Sequence, residues 1–143
     1  ELGDARCRVD LDDPAYRGEG VVTEVVTDDG LAVSGLAGFE AGWFRQGRIR
    51  FVEGVLDGLE FSVAEHVVEG AAARLTLWSP PAIRPAAGDG FVIVAGCDKR
   101  RETCRDKFAN ILNFQGFPFM PGSDFAYGYA DGETVHDGRP LIP

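Results

Sequence analysis

The sequence has little positive charge and no long apolar run. Its 143 residues include 14 Lys and Arg against 23 Asp and Glu, so the formal net charge is −9. A protein that binds the phosphate backbone needs a basic surface, and this deficit argues against a nucleic-acid partner. The longest apolar runs, as at residues 91–95, are too short to cross a bilayer. We therefore expect neither a nucleic-acid partner nor a membrane span.

Histidine is also scarce, and the motifs of the common hydrolases are absent. His66 falls in a strand pattern and His136 in a loose tail. A Cys/His hydrolase would need one of them to meet a cysteine in space, and no HExxH, nucleophile-elbow or Walker motif is present. The acidic group Asp10, Asp12 and Asp13 lacks the spacing of an EF-hand loop and is typical of a solvated loop. We expect no enzymatic activity.

What the sequence does contain divides into three zones. Residues 1–19 are acidic and interrupted by Pro14 and Gly18, which predicts an irregular N-terminal segment. Residues 20–96 show a series of short strand patterns separated by Gly and Pro. Residues 97–143 begin with a charged, helix-compatible stretch and continue as an aromatic tail rich in Gly and Pro. The overall composition, 45% hydrophobic and 26% charged, is that of a globular domain.

The middle zone predicts a small β-barrel. Its β-branched residues alternate with polar ones, and turn signals such as Asp29-Gly30 and Asp57-Gly58 recur at short intervals. The predicted strands are residues 20–27, 31–36, 43–52, 59–68, 73–78 and 91–95. Six short strands in such a zone suggest a closed or nearly closed barrel, which leaves no exposed sheet edge. The pattern does not separate an SH3-like from an OB-like topology.

One α-helix and an extended tail are predicted after the barrel. Residues 98–113 contain neither Gly nor Pro, and Asp98 is a candidate N-cap. Helical spacing would place four residues on one face of this helix, namely Cys104, Phe108, Ile111 and Leu112. In the tail, Phe114, Phe117, Phe119 and Phe125 are expected to pack their rings onto the domain without regular strand pairing.

The three cysteines, Cys7, Cys97 and Cys104, carry the most distinctive chemistry, and the residues alone leave three interpretations open. They are free thiols buried as small hydrophobes, or Cys97 and Cys104 form a disulfide, or the cysteines bind a metal. A tetrahedral zinc or iron–sulfur site needs four ligands, and this chain has three cysteines. Nearby basic residues would favour thiolates: Arg6, Arg8, Lys99, Arg100, Arg101, Arg105 and Lys107.

Motifs at both ends of the sequence resemble a known family. They are Gly96-Cys97-Asp98-Lys99-Arg100, Thr103-Cys104-Arg105, Lys107-Phe108, Asn110, Asn113-Phe114, Gly116-Phe117-Pro118, Met120-Pro121-Gly122 and Asp124-Phe125, with Leu2-Gly3-Asp4, Arg6-Cys7 and Val9-Asp10-Leu11 at the start. The first set resembles the C-terminal signature of a phage and prophage family, the tail-tip hub proteins of siphovirus-like tails and gene transfer agents. The second set resembles a motif in the middle of that family's chains.

The resemblance implies an iron–sulfur site. Family members have a Cys-Asp-Ala segment before the Leu-Gly-Asp motif, and the four cysteines are similar to the ligands of a 4Fe-4S cluster in lambda-type tail-tip proteins. Cys7, Cys97 and Cys104 would then be three of the four ligands, with zinc as the alternative metal. The Cys-Asp-Ala segment would supply the fourth ligand just upstream of Glu1. The chain begins without an initiator Met and is expected to be a fragment, a processed product or the ordered part of a longer polypeptide. The barrel would be an insertion within the cysteine motif. Phe119 stands where many members carry His, which argues against a His ligand there.

The resemblance also implies a structural role in a particle. The protein would form a homo-oligomeric ring, a trimer by analogy, at the tail tip of a virion or gene-transfer-agent particle that assembles in the host cytoplasm. Its partners would be tail-tube or distal tail proteins on one side and a tip fibre or spike on the other. Two alternatives remain: a metal-free interaction module that uses Trp43, Phe44 and Trp78 to bind a host surface or neighbouring subunits, and a tail-associated cell-wall hydrolase.

Overall fold

A computed structural model describes residues 1–116, which contain six β-strands and one short α-helix. The strands are β1 Arg17–Val25, β2 Gly30–Ser34, β3 Arg48–Phe51, β4 Glu60–Glu69, β5 Ala72–Leu77 and β6 Gly90–Val94. The helix, α1, is Arg101–Asp106, and single 3-10 turns occur at Gly54–Leu56 and Ile111–Asn113. This confirms the prediction of a mainly β protein with one helix. Within residues 1–116, no helix has the length and hydropathy needed to cross a membrane.

All six strands pair antiparallel in one sheet that closes on itself. The order around the barrel is β1-β2-β5-β4-β3-β6, and β6 completes the circle by pairing with both β3 and β1. The register shows the closure directly, because Val94 of β6 lies opposite Arg17 on one side and Arg48 on the other. Every strand therefore has two neighbours and no backbone edge is left open. Register shifts in β1 and β4 add local bends.

The barrel interior is filled by the inward-facing residues of the alternating patterns. In β3 only Ile49 and Phe51 are buried, and in β5 the buried positions are Ala73, Leu75 and Leu77. Fully burying one large apolar side chain contributes about 1.5–3 kcal/mol before the cost of ordering the chain. The largest buried side chains are Phe44, Phe51, Phe91, Leu31, Leu36, Ile49, Leu56, Leu75 and Ile93.

Two segments differ from the sequence prediction, and backbone geometry explains both. Residues 43–47 were predicted as part of a strand but form a turn, with Gln46 at φ 61°. The predicted helix over residues 98–113 is reduced to α1, because Lys99 (φ 62°) and Ala109 (φ 47°) adopt left-handed backbone that an α-helix cannot contain. Leu112 is 96% exposed and does not share the buried face of Cys104 and Phe108.

The start of α1 also differs from the prediction. Asp98 is not the N-cap: Arg100 occupies that position without a side-chain bond, and an Asp98 carboxylate oxygen accepts the Arg100 N–H at 3.0 Å. Phe114 lies within the described residues and is partly buried, whereas the aromatic tail from Phe117 to Phe125 lies outside them.

The barrel has two ends of different character. At one end, β1 and β3 begin and β6 ends, and there the N-terminal segment, the β2–β3 connection and the chain after β6 come together. We call this the cysteine end. At the other, three loops connect β1 to β2, β3 to β4 and β5 to β6. We call residues 26–29, 52–59 and 78–89 the loop end.

Gly96 allows the backbone approach that holds the cysteine end together. A methyl group at Gly96 would overlap the Arg45 carbonyl and the Gly47 main chain. We expect Gly96→Ala to destabilise the protein by about 1–3 kcal/mol or more, because neighbouring backbone must move to admit the methyl group. Urea unfolding measures this change. Gly38→Ala is the matched control, since no atom lies within 4 Å of its added methyl, and it should leave stability nearly unchanged. Equal stability of the two variants would contradict the close approach.

Candidate functional site

The three cysteines line one pocket of about 610 Å³ at the cysteine end. Cys7 comes from the N-terminal segment, Cys97 from the chain just after β6, and Cys104 from α1. All three are free thiols, so the structure contains no Cys97–Cys104 disulfide. Closure of the barrel produces this meeting, because it brings the start of β1 beside the end of β6.

Cys7 is positioned by a turn that Asp4 stabilises. One carboxylate oxygen of Asp4 accepts the main-chain N–H groups of Arg6 and Cys7, at 2.9 and 2.7 Å. The Arg8 N–H in turn donates to the Asp4 carbonyl at 2.8 Å, and Arg8 takes a left-handed backbone (φ 60°). Asp4 of the Leu2-Gly3-Asp4 motif therefore holds the turn that carries Cys7. An Asp side chain that accepts the main-chain N–H groups two and three residues later forms an Asx turn, which Asp4 does here.

Cys97 is partly buried, and its sulfur accepts a main-chain hydrogen bond. The Lys99 N–H lies 3.3 Å from the Cys97 sulfur, and the left-handed backbone of Lys99 directs the chain back over the cysteine. N–H donors of this kind stabilise negative charge on sulfur. The Cys97 sulfur therefore already has one main-chain hydrogen bond of the kind that supports a metal-bound sulfur.

Cys104 is the most buried of the three cysteines. Its sulfur donates to the Asn110 carbonyl at 3.2 Å. Burial raises the pKa of the Cys104 thiol, and the neighbouring Cys97 and Cys7 raise it further. The three thiols are therefore close enough to interact electrostatically. A metal cation would reverse this effect, because it favours deprotonated sulfur.

Asn110 links Cys7 to Cys104, and sequence reasoning gave it no role of its own. Its side-chain amide donates to the Cys7 carbonyl and lies 3.7 Å from the Cys7 sulfur. Its main-chain N–H donates to the Cys104 carbonyl at 2.9 Å. The left-handed turn at Ala109 places it there. An Asn following a left-handed non-glycine residue leaves no clear pattern in a single sequence.

Lys107 fastens this end of the molecule to the barrel. Its ammonium group donates to the carbonyls of Gly96, at 2.8 Å, and Trp43, and it lies 4.8 Å from the centre of the Trp43 ring. Burial lowers the pKa of Lys107 to about 8, while Cys97 and Asp98 act in the opposite direction. Tyr16 packs against the rings of both Trp43 and Phe108, so the N-terminal segment joins the same contact.

The three cysteines are suitable ligands for the expected metal, but their sulfurs are not arranged around a metal position. Three cysteine sulfurs are soft donors of the kind that iron–sulfur clusters and zinc prefer. Within residues 1–116, however, no group of three or more His, Cys, Asp or Glu side chains is arranged to hold a metal ion. Binding would require the sulfurs of Cys7, Cys97 and Cys104 to move closer together and a fourth donor to join them.

Comparison with known proteins identifies the family. A sequence profile described as phage conserved hypothetical protein BR0599 matches residues 42–124, more than half of the chain. The chain belongs to this family. The family match includes Cys97, Cys104 and Asn110, while Cys7 precedes it. The expected relationship to a phage protein family is thereby confirmed at this level.

A solved structure provides a second comparison for this BR0599-family chain. The present chain is similar to a chain in the virion of a native gene transfer agent (GTA) particle, with 39% sequence identity and a TM-score of 0.83. The match covers 99% of this chain and 49% of that one, so this chain spans about half the length of its relative. No curated protein matches the sequence.

The other candidate residues lie apart from the cysteine pocket. His66 is buried in β4 against Phe44, with ring centres 5.1 Å apart, and does not line the pocket. His136 lies outside the described residues. In the acidic group, Asp10 and Asp13 accept main-chain N–H groups two residues on, and Asp12 pairs with Arg17 at 2.7 Å. These contacts agree with the solvated loop predicted there.

Asn110→Ala should release the N-terminal segment. Truncation leaves the half-buried Cys7 carbonyl without its donor, which costs about 1–3 kcal/mol. Hydrogen exchange should therefore speed up in residues 1–16 while the barrel strands keep their protection. Gln115→Ala is the control, since it removes only an exposed bond to the Asn113 carbonyl. Unchanged exchange in residues 1–16 would show that Asn110 does not hold this segment.

His66 should make the protein less stable in mild acid. Neither ring nitrogen makes a hydrogen bond of normal geometry with a described residue. Burial lowers the pKa of His66 below its usual 6.5, Lys107 lowers it further, and the Glu40 main chain acts weakly in the other direction. The unfolded chain therefore binds a proton at a higher pH than the folded one. The stability that neutral His66 provides is complete above about pH 6.5. It declines as the pH falls towards the pKa of His66 in the folded protein.

Thermal unfolding of wild type and His66→Phe tests this effect. Between roughly pH 7.5 and roughly pH 5, a range that brackets the ordinary histidine pKa, the wild type should lose more melting temperature than the variant. Phe keeps the ring contact with Phe44 and removes the titrating group, while His136 is present in both proteins and cancels. Parallel pH profiles of the two proteins would rule out His66 as the source.

Proposed function

We propose that this chain is a structural part of a phage-like or GTA particle and belongs to the hub of its tail tip or baseplate. The observation that carries this proposal is the 39% identity to a GTA virion chain over 99% of the present chain. Membership of a phage protein family supports it independently. The placement at the hub follows from the resemblance of the Cys97 and Cys7 motifs to tail-tip hub proteins. A homo-oligomeric ring, with tail-tube or distal tail proteins and a fibre or spike as neighbours, is part of the same proposal.

Within this role, Cys7, Cys97 and Cys104 would bind an iron–sulfur cluster, or alternatively zinc, together with a fourth ligand. Such a group supplies metal–thiolate bonds, which act as a crosslink between segments. Its support in the structure is the shared pocket, the N–H donor from Lys99 to the Cys97 sulfur, and the Asn110 contacts of Cys7 and Cys104. The N-terminal segment, the end of β6 and α1 would be held as one unit.

A crosslink would matter most at the cysteine end, because the apolar cluster that joins its segments is the smaller of the two. The smaller of the two apolar clusters, centred on Val9, Ala95 and Phe108, connects them, whereas the barrel has a core of its own. Structural metal–thiolate sites contribute on the order of 10 kcal/mol in zinc-finger peptides. Even part of that would fix the angle between the barrel and the segments before and after it.

Of the three aromatic residues proposed as a binding surface in a metal-free interaction module, one is strongly exposed. Phe44 is fully buried, and Trp43 is partly buried with its ring N–H donating to the Ala15 carbonyl at 3.0 Å. Trp78 alone is strongly exposed. A binding surface built on Trp78 is compatible with a hub role, since a hub contacts several neighbours. Within residues 1–116, His66 lies apart from the cysteine pocket, which gives the cell-wall hydrolase no support there.

Substitution of the cysteines separates metal binding from simple packing. Cys97→Ser, Cys104→Ser and Cys104→Ala should each lose bound metal and reduce the yield of assembled particles. The measurements are iron and zinc content and the visible spectrum of the full-length protein purified without oxygen, with particle counts beside them. Cys104→Ala is the informative variant, because a cysteine that only fills space tolerates alanine better than serine. Normal particle yield from Cys104→Ala would contradict the crosslink, and wild-type protein without iron or zinc would contradict the metal.

A further inference from the structure

Exposed apolar side chains are concentrated at the loop end. Of the nine large hydrophobic residues exposed within residues 1–116, six belong to its three loops, and Trp78 is 67% exposed. Single exposed hydrophobics are ordinary, but a group at one end of a domain marks a contact surface. Tryptophan is among the residues most enriched where such contacts are strong. The six are Val26, Val52, Val55, Leu59, Trp78 and Ile83.

The three loops form one continuous surface because they are bonded to each other. The residue before Trp78, Leu77, donates its N–H to the Asp29 carbonyl at 2.8 Å, joining the first and third loops. An ion pair between Arg84 and Asp28 joins the same two loops again. Val52 donates to the Gly90 carbonyl at 3.0 Å, which brings the second loop against the end of the third. The apolar side chains are therefore carried on a connected support.

The charge around this surface is acidic. Asp28, Glu53 and Asp57 are exposed in the loops, and Glu60 is exposed at the start of β4. Arg84 is the one basic residue in the three loops, and it is paired with Asp28. Phosphate-bearing partners such as nucleic acid or an anionic membrane would be repelled. Two copies meeting face to face through this surface would bring like charges together, which costs several kcal/mol.

We propose that the loop end docks onto a different protein, one that presents an apolar patch flanked by Lys or Arg. The partner is another protein of the same particle, and this identity alone rests on the proposed function. The cysteine end and the loop end then face different neighbours, with the closed barrel as a rigid spacer between them. Trp78 and Ile83 supply the apolar contact, and Glu53 and Asp57 select the partner by charge.

Photo-crosslinking in producing cells tests the docking surface. A benzophenone-bearing phenylalanine replaces Trp78 or Ile83 in the full-length protein, and Val67, exposed on the barrel wall in β4, is the matched control position. We expect adducts from the first two positions to one other protein, at a peptide that contains Lys or Arg beside apolar residues. The control position should give none. Mass spectrometry identifies the linked peptide.

Charge reversal then tests how the partner is selected. Glu53→Lys combined with Asp57→Lys should lower the adduct from position 78 by about tenfold or more, since attraction becomes repulsion. Glu40→Lys combined with Glu65→Lys makes the same change in net charge at exposed positions away from the loop end, in the β2–β3 connection and in β4, and should leave the adduct unchanged. This pair distinguishes a local charge contact from an effect of overall charge.

The crosslinking results distinguish the docking proposal from its alternatives. No adduct at positions 78 and 83, an adduct to a second copy of this chain, an adduct to lipid or nucleic acid, or equal loss in both charge variants would overturn the docking proposal. An adduct to a basic particle protein that only the loop-end reversal removes supports it. The same charge-dependent adduct to a protein absent from purified particles would keep the docking surface and count against the role in the particle.

Discussion

Lys107 lies where three segments that are distant in the sequence meet, and its ammonium group donates to main-chain carbonyls in two of them. The Trp43 carbonyl belongs to the β2–β3 connection and the Gly96 carbonyl to the chain that leads into Cys97. The third segment is the one after α1, which carries Lys107 itself. A buried ammonium group costs free energy unless its protons are satisfied. Here two carbonyls and the face of Trp43 compensate it, with a pKa lowered to about 8 by burial, so it stays largely charged at neutral pH.

Much of the barrel could be predicted from the sequence because its determinants are local. Alternation of apolar and polar residues located all six strands, and Asp29-Gly30 and Asp57-Gly58 marked real connections. The errors arose where a distant group decides the backbone. Residues 43–47 alternate like a strand, yet Gly47 is pressed against the Val94 carbonyl and the chain turns at Gln46. Residues 107–113 have helical spacing, but α1 ends at Asp106 and the left-handed backbone of Ala109 turns Asn110 towards Cys7.

The candidate site was predictable in its residue types and not in its geometry. Cysteine is chemically distinctive, so Cys7, Cys97 and Cys104 stand out in any reading, and the Arg6-Cys7 and Gly96-Cys97 motifs resemble a known family. The contacts of Asn110 and Lys107 could not be predicted from the sequence, because they depend on the pairing of β6 with β1 and β3. Gly96 illustrates the same limit: its role is to let two backbones touch, and no periodicity reports that.

The two apolar clusters imply that a metal would act on a protein that is already folded. The main core lies inside a closed sheet and does not involve the cysteines, so the barrel needs no metal to bury its apolar surface. At the cysteine end, the smaller cluster with Cys7 and Cys97 packed against it, together with the Asn110 and Lys107 bonds, brings the thiols to one pocket without a coordination shell. This differs from a zinc finger, where metal binding and folding are one event. A metal bound here would fix the positions of the three cysteine-bearing segments relative to the barrel. Its binding free energy would therefore fix the orientation of the barrel more than it would stabilise the barrel against unfolding.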